Sequence, residues 1–399
     1  MSNFGFVLAK RPAGHIDDET FTWKNVPLPD RTLRDGEVLA TTLMLSIDPA
    51  MRGWMRPYKS YVPPVPLGSV MRANTVAQVV ASKGSKLKPG DIVLTFPAGG
   101  WQQHFVVKER ECRKLPLPAN ASKEQVAPFL GAFGLTGATA FFGLVEVAQV
   151  KEGDTVLVNA AAGAVGSVVI QLAKQRGAKV VAVAGGSKTE FCRQVGADAC
   201  VDYKSVLSDL PRGCADGDAG DENYDAAVRQ LTSALRSALK SISSKGFTVV
   251  FDNVGGAQLE AALNTITRGA RIAVCGAISQ YNRDPEKQPV RGPRNYLSLL
   301  VHGARMQGFA APQFSGQSWA KAFVALQSLA SEGKLKWKTH FFPGGLQAAP
   351  DALRALFAGK NKGKLVLEVS EAVAQPGQDT GKNISEIVAT LEQTRQAAL

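Results

Sequence analysis

Residues 155–166, Thr-Val-Leu-Val-Asn-Ala-Ala-Ala-Gly-Ala-Val-Gly, constrain this chain more than any other stretch. Residues suited to a buried strand run directly into a turn of small residues, and a helical pattern over 168–174 follows. A nucleotide pyrophosphate needs that layout, with backbone N–H groups facing the anion at a helix N-terminus. Gly163 and Gly166 lack a β-carbon. One lets the backbone approach the phosphates, and the other lets helix and strand pack closely. Ala161 stands where the strict G-x-G-x-x-G fingerprint has its first glycine. A glycine-rich turn alone is weak evidence, and the flanking strand and helix supply the context the motif requires.

The alternation continues beyond the turn. Strand-like segments at 155–158, 179–183, 199–203, 247–251, 271–274 and 305–309 are separated by helical patterns. This predicts parallel strands with crossover helices. Val228, Leu231, Leu235, Leu239 and Ile242 recur at three- and four-residue spacing, the apolar stripe of a core-facing helix. Residues 205–223 break the pattern with Gly213, Gly217, Gly220 and five acidic residues, and read as a surface loop.

The first 125 residues read differently, as short strands (37–42, 71–80, 92–96) with turn punctuation at 88–91 and a proline-rich loop at 61–67. They predict a compact β-barrel-like domain. Residues 123–150 look helical, with Gly131, Gly134 and Gly137 interrupting. Residues 316–369 return to a helix and a last strand at 364–369 that rejoin the first domain. A polar tail follows, in which Ile384, Ile387 and Leu391 have the spacing of one short helix. The expected division is 1–125, 126–312, 313–370 and a tail at 371–399.

Composition excludes several classes. The 399 residues suffice for two to three domains, and 45% hydrophobic content is ordinary for a globular enzyme. No apolar run approaches the ~20 residues of a membrane span. No basic segment followed by an apolar core opens the chain, so a cytoplasmic protein without a membrane partner is expected. Five cysteines, at 112, 192, 200, 214 and 275, form no C-x-x-C pair, which argues against a disulfide framework and a zinc lobe. The four histidines form no metal-ligating motif. His104 and His302 read as structural, hydrogen-bonded residues. The formal charge of +12 suits nucleic acid or a multiply anionic cofactor. Lys and Arg are dispersed, apart from a loose group of Arg283, Lys287, Arg291, Arg294 and Arg305, so a solvated surface is expected and no nucleic-acid partner.

The end of the second nucleotide-fold strand meets the adenine ribose, where an acidic residue selects NAD. Here the strand runs into Ala184-Gly185-Gly186-Ser187-Lys188, without a carboxylate. Small residues leave room for a 2′-phosphate and Lys188 supplies positive charge, so NADPH is the expected cofactor. The alternative is a lysine that merely opens the next helix.

At this point the residues resemble a known family. The turn Val158–Val169 is similar to the cofactor turn of the zinc-independent medium-chain dehydrogenase/reductases, in particular the prostaglandin/leukotriene reductases and plant alkenal double-bond reductases. Further matches are Ile47-Asp48-Pro49-Ala50-Met51-Arg52-Gly53-Trp54-Met55, Gly137-Ala138-Thr139-Ala140-Phe141-Phe142-Gly143-Leu144, Phe251-Asp252-Asn253-Val254-Gly255-Gly256 and the run from Arg271 to Asn282. The resemblance covers about residues 1–370. It implies an α/β fold, a Rossmann-type doubly wound parallel sheet plus a GroES-like β-barrel catalytic domain. It also implies a homodimer, NADPH, and reduction of a carbon–carbon double bond conjugated to a carbonyl.

By matching motif positions, the resemblance places Ala161, Gly163, Ala164, Val165 and Gly166 at the pyrophosphate. Lys188 and Tyr203 fall at the 2′-phosphate end. Asn253, Cys275, Gly276, Ala277 and Asn361 fall along the ribose–nicotinamide half, and Tyr281 beside the nicotinamide and the substrate carbonyl. Ala50, Met51, Arg52 and Phe141 are the expected substrate-pocket residues. Two departures bear on the substrate. Ala50 and Phe141 stand where relatives carry tyrosine, which makes one wall smaller and removes a hydroxyl.

Zinc alcohol dehydrogenases share this architecture. Their metal needs a Cys and a Gly-His-Glu where this chain has Leu45 and Gly68-Ser69-Val70, and neither leucine nor valine ligates zinc. No metal is expected. Hydride delivered to the β-carbon of an enone or enal builds charge on the carbonyl oxygen, and a donor aimed there lowers the barrier. Tyr281 is the expected donor, with plain packing on the cofactor as the alternative. Asp252 reads as a backbone cap, and Arg52 as a phosphate contact or a surface ion pair. The residues leave two other functions open. One is a quinone reductase of the same superfamily, and the other a non-catalytic protein that keeps a dinucleotide fold.

Overall fold

The computed structural model describes residues 3–58, 60–218, 220–284, 286–290, 292–370, 382–384, 386–388 and 393. The chain divides into two compact units. Unit 1 comprises Met1–Pro12, Ile16–Gly131 and Thr339–Leu399, and unit 2 comprises Ala13–His15 and Ala132–Lys338.

Unit 1 is built on a curled sheet. Its strands are β3 (Glu37–Ser46), β4 (Thr75–Ser82), β5 (Ile92–Thr95), β6 (His104–Lys108), β7 (Cys112–Lys114), β14 (Thr339–Phe342) and β15 (Lys364–Glu368), in the order β14-β15-β3-β4-β5-β7 with β6 also on β3. A separate hairpin pairs β1 (Phe4–Leu8) with β2 (Phe21–Asn25). All ten residues of β3 are buried because both faces of the sheet are covered. Val38 and Ala40 face one apolar cluster with Val79, Val93 and Phe105, while Leu39, between them, faces another with Leu33 and Val80. Successive strand residues point to opposite faces, which gives this division. Register breaks between Leu39 and Ala40 and between Thr42 and Met44 curl the strand. Ile384, Ile387 and Val388 of the tail pack into the Leu33–Leu39 cluster. Leu391, expected to share a helix with them, lies outside the described residues. The short helices of unit 1 are α1 (Ala50–Trp54) and α2 (Lys123–Val126), with α11 (Ala349–Phe357) late in the chain.

Unit 2 carries an all-parallel sheet of β8 (Thr155–Val158), β9 (Lys179–Ala184), β10 (Ala199–Asp202), β11 (Phe247–Asp252), β12 (Ile266–Val274) and β13 (Arg305–Gly308). The order β10-β9-β8-β11-β12-β13 is doubly wound, and the reversal of direction between β8 and β11 is where such sheets bind ligands. The helices are α3 (Leu135–Phe141), α4 (Gly166–Gln175), α5 (Lys188–Gln194), α6 (Tyr203–Val206), α7 (Asp221–Ser241), α8 (Gly256–Leu263), α9 (Leu297–His302) and α10 (Gly316–Ser331). One face of the sheet packs in a cluster holding residues of α3, α4 and α10, the other in a cluster holding residues of α7 and α8. Covering both faces explains the continuous apolar strands.

Two segments differ from expectation. The α10 helix, expected to rejoin the first domain, belongs to unit 2: Phe142 stacks on Phe314 at 4.2 Å and meets Trp319 at 5.1 Å, and Ala322 and Leu326 are buried in the same cluster. Residues 205–223 are not a plain surface loop. Their 3-10 turn Cys214–Asp216 is anchored by the Cys214 side chain in the cluster that holds Tyr224 and Val201. Among the described residues no single helix is long and apolar enough to cross a membrane.

Candidate active site

The turn after β8 starts in strain and ends in close packing. Ala160 adopts a left-handed φ of 45°, unusual for a residue with a β-carbon. Ala161 N donates to Val183 O at 3.0 Å, which ties the turn to β9. A β-carbon on Gly166 would lie 2.6 Å from Ala160 O and 2.7 Å from Ala161 Cα, so only glycine fits where α4 meets the turn. Ala161 is fully buried, whereas Gly163, Ala164 and Val165 are partly exposed. The N–H groups of Ala164, Val165 and Gly166 have no acceptor among the described residues. Such donors at a helix start are what a pyrophosphate requires.

The loop after β9 has the chemistry of a phosphate-ended ribose site. The nearest acid, Asp202 at the end of β10, accepts from Gly186 N at 2.7 Å, Lys204 N at 3.1 Å and Ser205 N at 3.4 Å. All three backbone donors reach the same oxygen, Asp202 Oδ1. Lys188 opens α5 and Tyr203 opens α6. A β-carbon on Gly185 would lie 3.0 Å from both Tyr203 Cε1 and Lys204 Cε. Lys204 therefore shares this loop, although the sequence singled out only Lys188 and Tyr203. Lysine stems packed on a backbone leave no periodic signal in sequence.

The ends of β8, β11 and β12 are stitched together by buried polar groups. Asn159 Nδ2 donates to Asp252 Oδ1, and Asn159 Oδ1 accepts from Asn253 N at 2.6 Å. Asn253 Nδ2 donates to Asn159 O at 2.9 Å. Asp252 also accepts from Val254 N at 3.2 Å and from Gly255 N at 3.1 Å, the backbone cap expected of it. Burial pushes the Asp252 carboxyl up, against the pull of these donors. Cys275 N and Gly276 N donate to Asp252 O at 2.8 and 3.2 Å. Burial, then the Asp252 charge, pushes the Cys275 thiol up to about 12, so it stays protonated and is no nucleophile.

From this frame the 275–281 loop presents Tyr281. Ala277 N donates to Tyr281 Oη at 3.1 Å, and a β-carbon on Gly276 would lie 2.8 Å from the same oxygen. Ser279 Oγ donates to Val254 O at 2.7 Å and fastens the loop to the end of β11.

Other expected residues are placed differently. In unit 1, Ala50 is partly exposed, but Met51 is fully buried in the core with Trp54 and Leu353. Arg52 is also buried, with Nη2 donating to Pro12 O at 2.7 Å. In unit 2, Phe141 packs in the apolar core. Met51, Arg52 and Phe141, expected at the substrate pocket, are thus all buried. Asn361, in unit 1, donates Nδ2 to Gly363 O at 2.8 Å in the turn before β15. His104 Nδ1 pairs with Thr41 Oγ1 and His302 Nδ1 with Ser298 O, each at 2.9 Å, as structural histidines do. Of the loose basic group, Arg283 pairs with Asp218, Arg294 with Asp225 and Glu260, and Arg305 donates to Val147 O. Arg291 lies outside the described residues.

Two family models match the chain. One, described as the N-terminal domain of oxidoreductase, covers residues 5–115, and one described as zinc-binding dehydrogenase covers 164–328. A putative NADP-dependent oxidoreductase of Bacillus subtilis, YfmJ, is 37% identical over 366 residues, spanning 91% of this chain and 97% of its own length. Prostaglandin reductase 1 of Rattus norvegicus is 35% identical over 364 residues, 91% and 98% of the two chains.

The chain is a zinc-independent medium-chain dehydrogenase/reductase.

The structure of CurA from Vibrio vulnificus in complex with NADPH is similar with a TM-score of 0.75 at 33% identity, covering 92% of this chain and 99% of CurA. This dehydrogenase/reductase is accordingly an NADP-dependent oxidoreductase, with NADPH as its cofactor. The zinc in the second family description has no counterpart cluster: among the described residues no three His, Cys, Asp or Glu side chains gather to hold a metal.

Proposed function

We propose that this enzyme reduces the carbon–carbon double bond of α,β-unsaturated ketones or aldehydes. The observation that carries the reading is the Tyr281 hydroxyl, held by the Ala277 amide on the loop that follows β12. NADPH, when bound, supplies hydride for the β-carbon of the substrate. The N–H groups of Ala164, Val165 and Gly166 would hold its pyrophosphate, and Lys188, Tyr203 and Lys204 its 2′-phosphate. Cys275, Gly276, Ala277 and Asn253 would line the nicotinamide half. Tyr281 would donate to the substrate carbonyl oxygen as enolate charge develops there. A donor placed for the charged state stabilises the transition state more than the ground state. The remaining chemistry is the cofactor's, and the protein's part is position and electrostatics.

The enzyme would act as a homodimer. Tyr296, Leu297, Leu300 and Val301 on and beside α9 are exposed apolar side chains, and β13, the next element in the chain, is an edge strand of the parallel sheet. An open strand edge beside an apolar patch is a surface that soluble proteins cover. Five unpaired cysteines suit a cytoplasmic enzyme. The test of activity is NADPH oxidation with a panel of enals, enones and quinones. Turnover of enones supports the reading, and turnover of quinones alone replaces it with quinone reduction.

A further inference from the structure

The turn Cys214–Asp216 belongs to the 205–223 segment that interrupts the strand–helix alternation, and it is pinned from several sides. Gln280 Nε2 donates to Asp216 O at 3.3 Å. Arg283 Nη1 donates to the same carbonyl, and to Asp218 Oδ1 at 2.8 Å. Gly256, left-handed at φ 54°, sits so close that a β-carbon would lie 2.8 Å from Ala215 O. The turn therefore rests against the residues that follow β11 and β12. On its other flank is Tyr203, whose phenol is pushed up by burial and then by the Asp216 and Asp202 carboxylates.

In an open parallel sheet the dinucleotide lies outside the carboxyl ends of the strands. With the ribose phosphate at Gly185–Lys188 after β9, the attached base extends toward the ends of β10 and β11. Tyr203 and Gly256 mark those two ends, and the Cys214–Asp216 turn lies between them. The Asp216 carboxylate is partly buried and has no hydrogen-bond donor among the described residues. Burial, then Asp218, raises it to about 6 against the pull of Arg283, so it is ionised at neutral pH. An ionised carboxylate can only accept hydrogen bonds, and half-buried it calls for a donor.

We propose that the Cys214–Asp216 turn walls the base end of the dinucleotide site and that the Asp216 carboxylate accepts the 6-amino group of adenine. This rests on the reading of Lys188 and Tyr203 as the ribose-phosphate end. A base with a carbonyl in place of that amino group turns lone pairs toward Asp216 and is rejected.

The test is calorimetric binding of NADPH and of its hypoxanthine analogue to the full chain at neutral pH, for the wild type, Asp216→Ala and Asp216→Asn. The wild type is expected to prefer NADPH about tenfold, the scale of one charge-assisted hydrogen bond. Asp216→Ala should bind both within about twofold on the same scale. Asp216→Asn, whose amide can donate to the analogue's carbonyl, should shift the ratio toward the analogue. A wild type that binds both equally overturns the proposal, as does an Asp216→Ala ratio equal to the wild type's. Lys188→Ala binding NADPH as tightly as the wild type would instead overturn the reading beneath it.

Discussion

The backbone amide of Ala277 donates to the hydroxyl oxygen of Tyr281 at 3.1 Å. The phenol oxygen is thereby held as an acceptor by a backbone donor. Hydrogen bonds in series also polarise one another, so the amide strengthens Tyr281 as a donor. Tyr281→Phe should therefore lower kcat by about 10²–10³, the cost of removing one oxyanion donor. NADPH affinity should change little. Steady-state kinetics with an enone, beside calorimetric titration of NADPH, check this. Unaltered turnover would assign the carbonyl contact elsewhere.

Lys188 opens α5 at the end of the 184–188 loop, which carries no carboxylate of its own. Lys188→Ala should weaken NADPH binding by about 1.5–3 kcal/mol, the scale of a charged hydrogen bond. NADH binding should be nearly unchanged. Equal losses for both cofactors, measured by titration, would remove the 2′-phosphate assignment.

The Ile47-Asp48-Pro49 motif has a structural basis in unit 1. Lys364 Nζ donates to Asp48 Oδ1 at 2.7 Å and to Ile47 O at 2.9 Å, and Ser46 Oγ donates to Asp48 Oδ2. Both Asp48 and Lys364 are buried. Removing one partner strands the other charge, so Asp48→Ala should cost about 3–5 kcal/mol in chemical denaturation. Replacing both, as Asp48→Leu with Lys364→Met, should recover most of that loss. A single variant as stable as the wild type would show that the pair contributes nothing.

Leu300 and Val301 are 79% and 77% exposed on α9. If this face joins two copies, Leu300→Asp with Val301→Asp should convert the dimer to monomer in sedimentation equilibrium. A wild type that sediments as a monomer, or a variant that stays dimeric, would place the interface elsewhere or remove it.

The nucleotide half was legible because each signal is local. A buried strand, a small-residue turn and a helix leave consecutive marks, and a doubly wound sheet repeats them. Unit 1 was legible only in outline. The strands β1, β2, β6, β7 and β14 left no readable pattern, since runs of three to five residues are too short to show a clean alternation. The placement of α10 depends on Phe142 stacking against Phe314, a contact between residues 172 positions apart that periodicity cannot foresee. Residues 205–223 read as a loop because glycine and acid density reports only local breaks, whereas Cys214 is buried by tertiary packing. Within the candidate site, the close packing of Gly166 against the turn was legible from the motif, because a glycine-rich strand–turn–helix leaves consecutive marks. Asn159 was not, because its role is to satisfy Asp252 and Asn253 across the sheet. Met51 and Arg52 are buried in unit 1, which motif position alone did not indicate.

In the proposed reaction hydride passes to a polarised alkene rather than to a carbonyl. The most direct measurement uses NADPH deuterated at the nicotinamide C4 position, an enone substrate, and NMR of the product. Deuterium at the β-carbon of a saturated ketone is the predicted result. Deuterium on the carbinol carbon of an allylic alcohol, with the double bond intact, would contradict it.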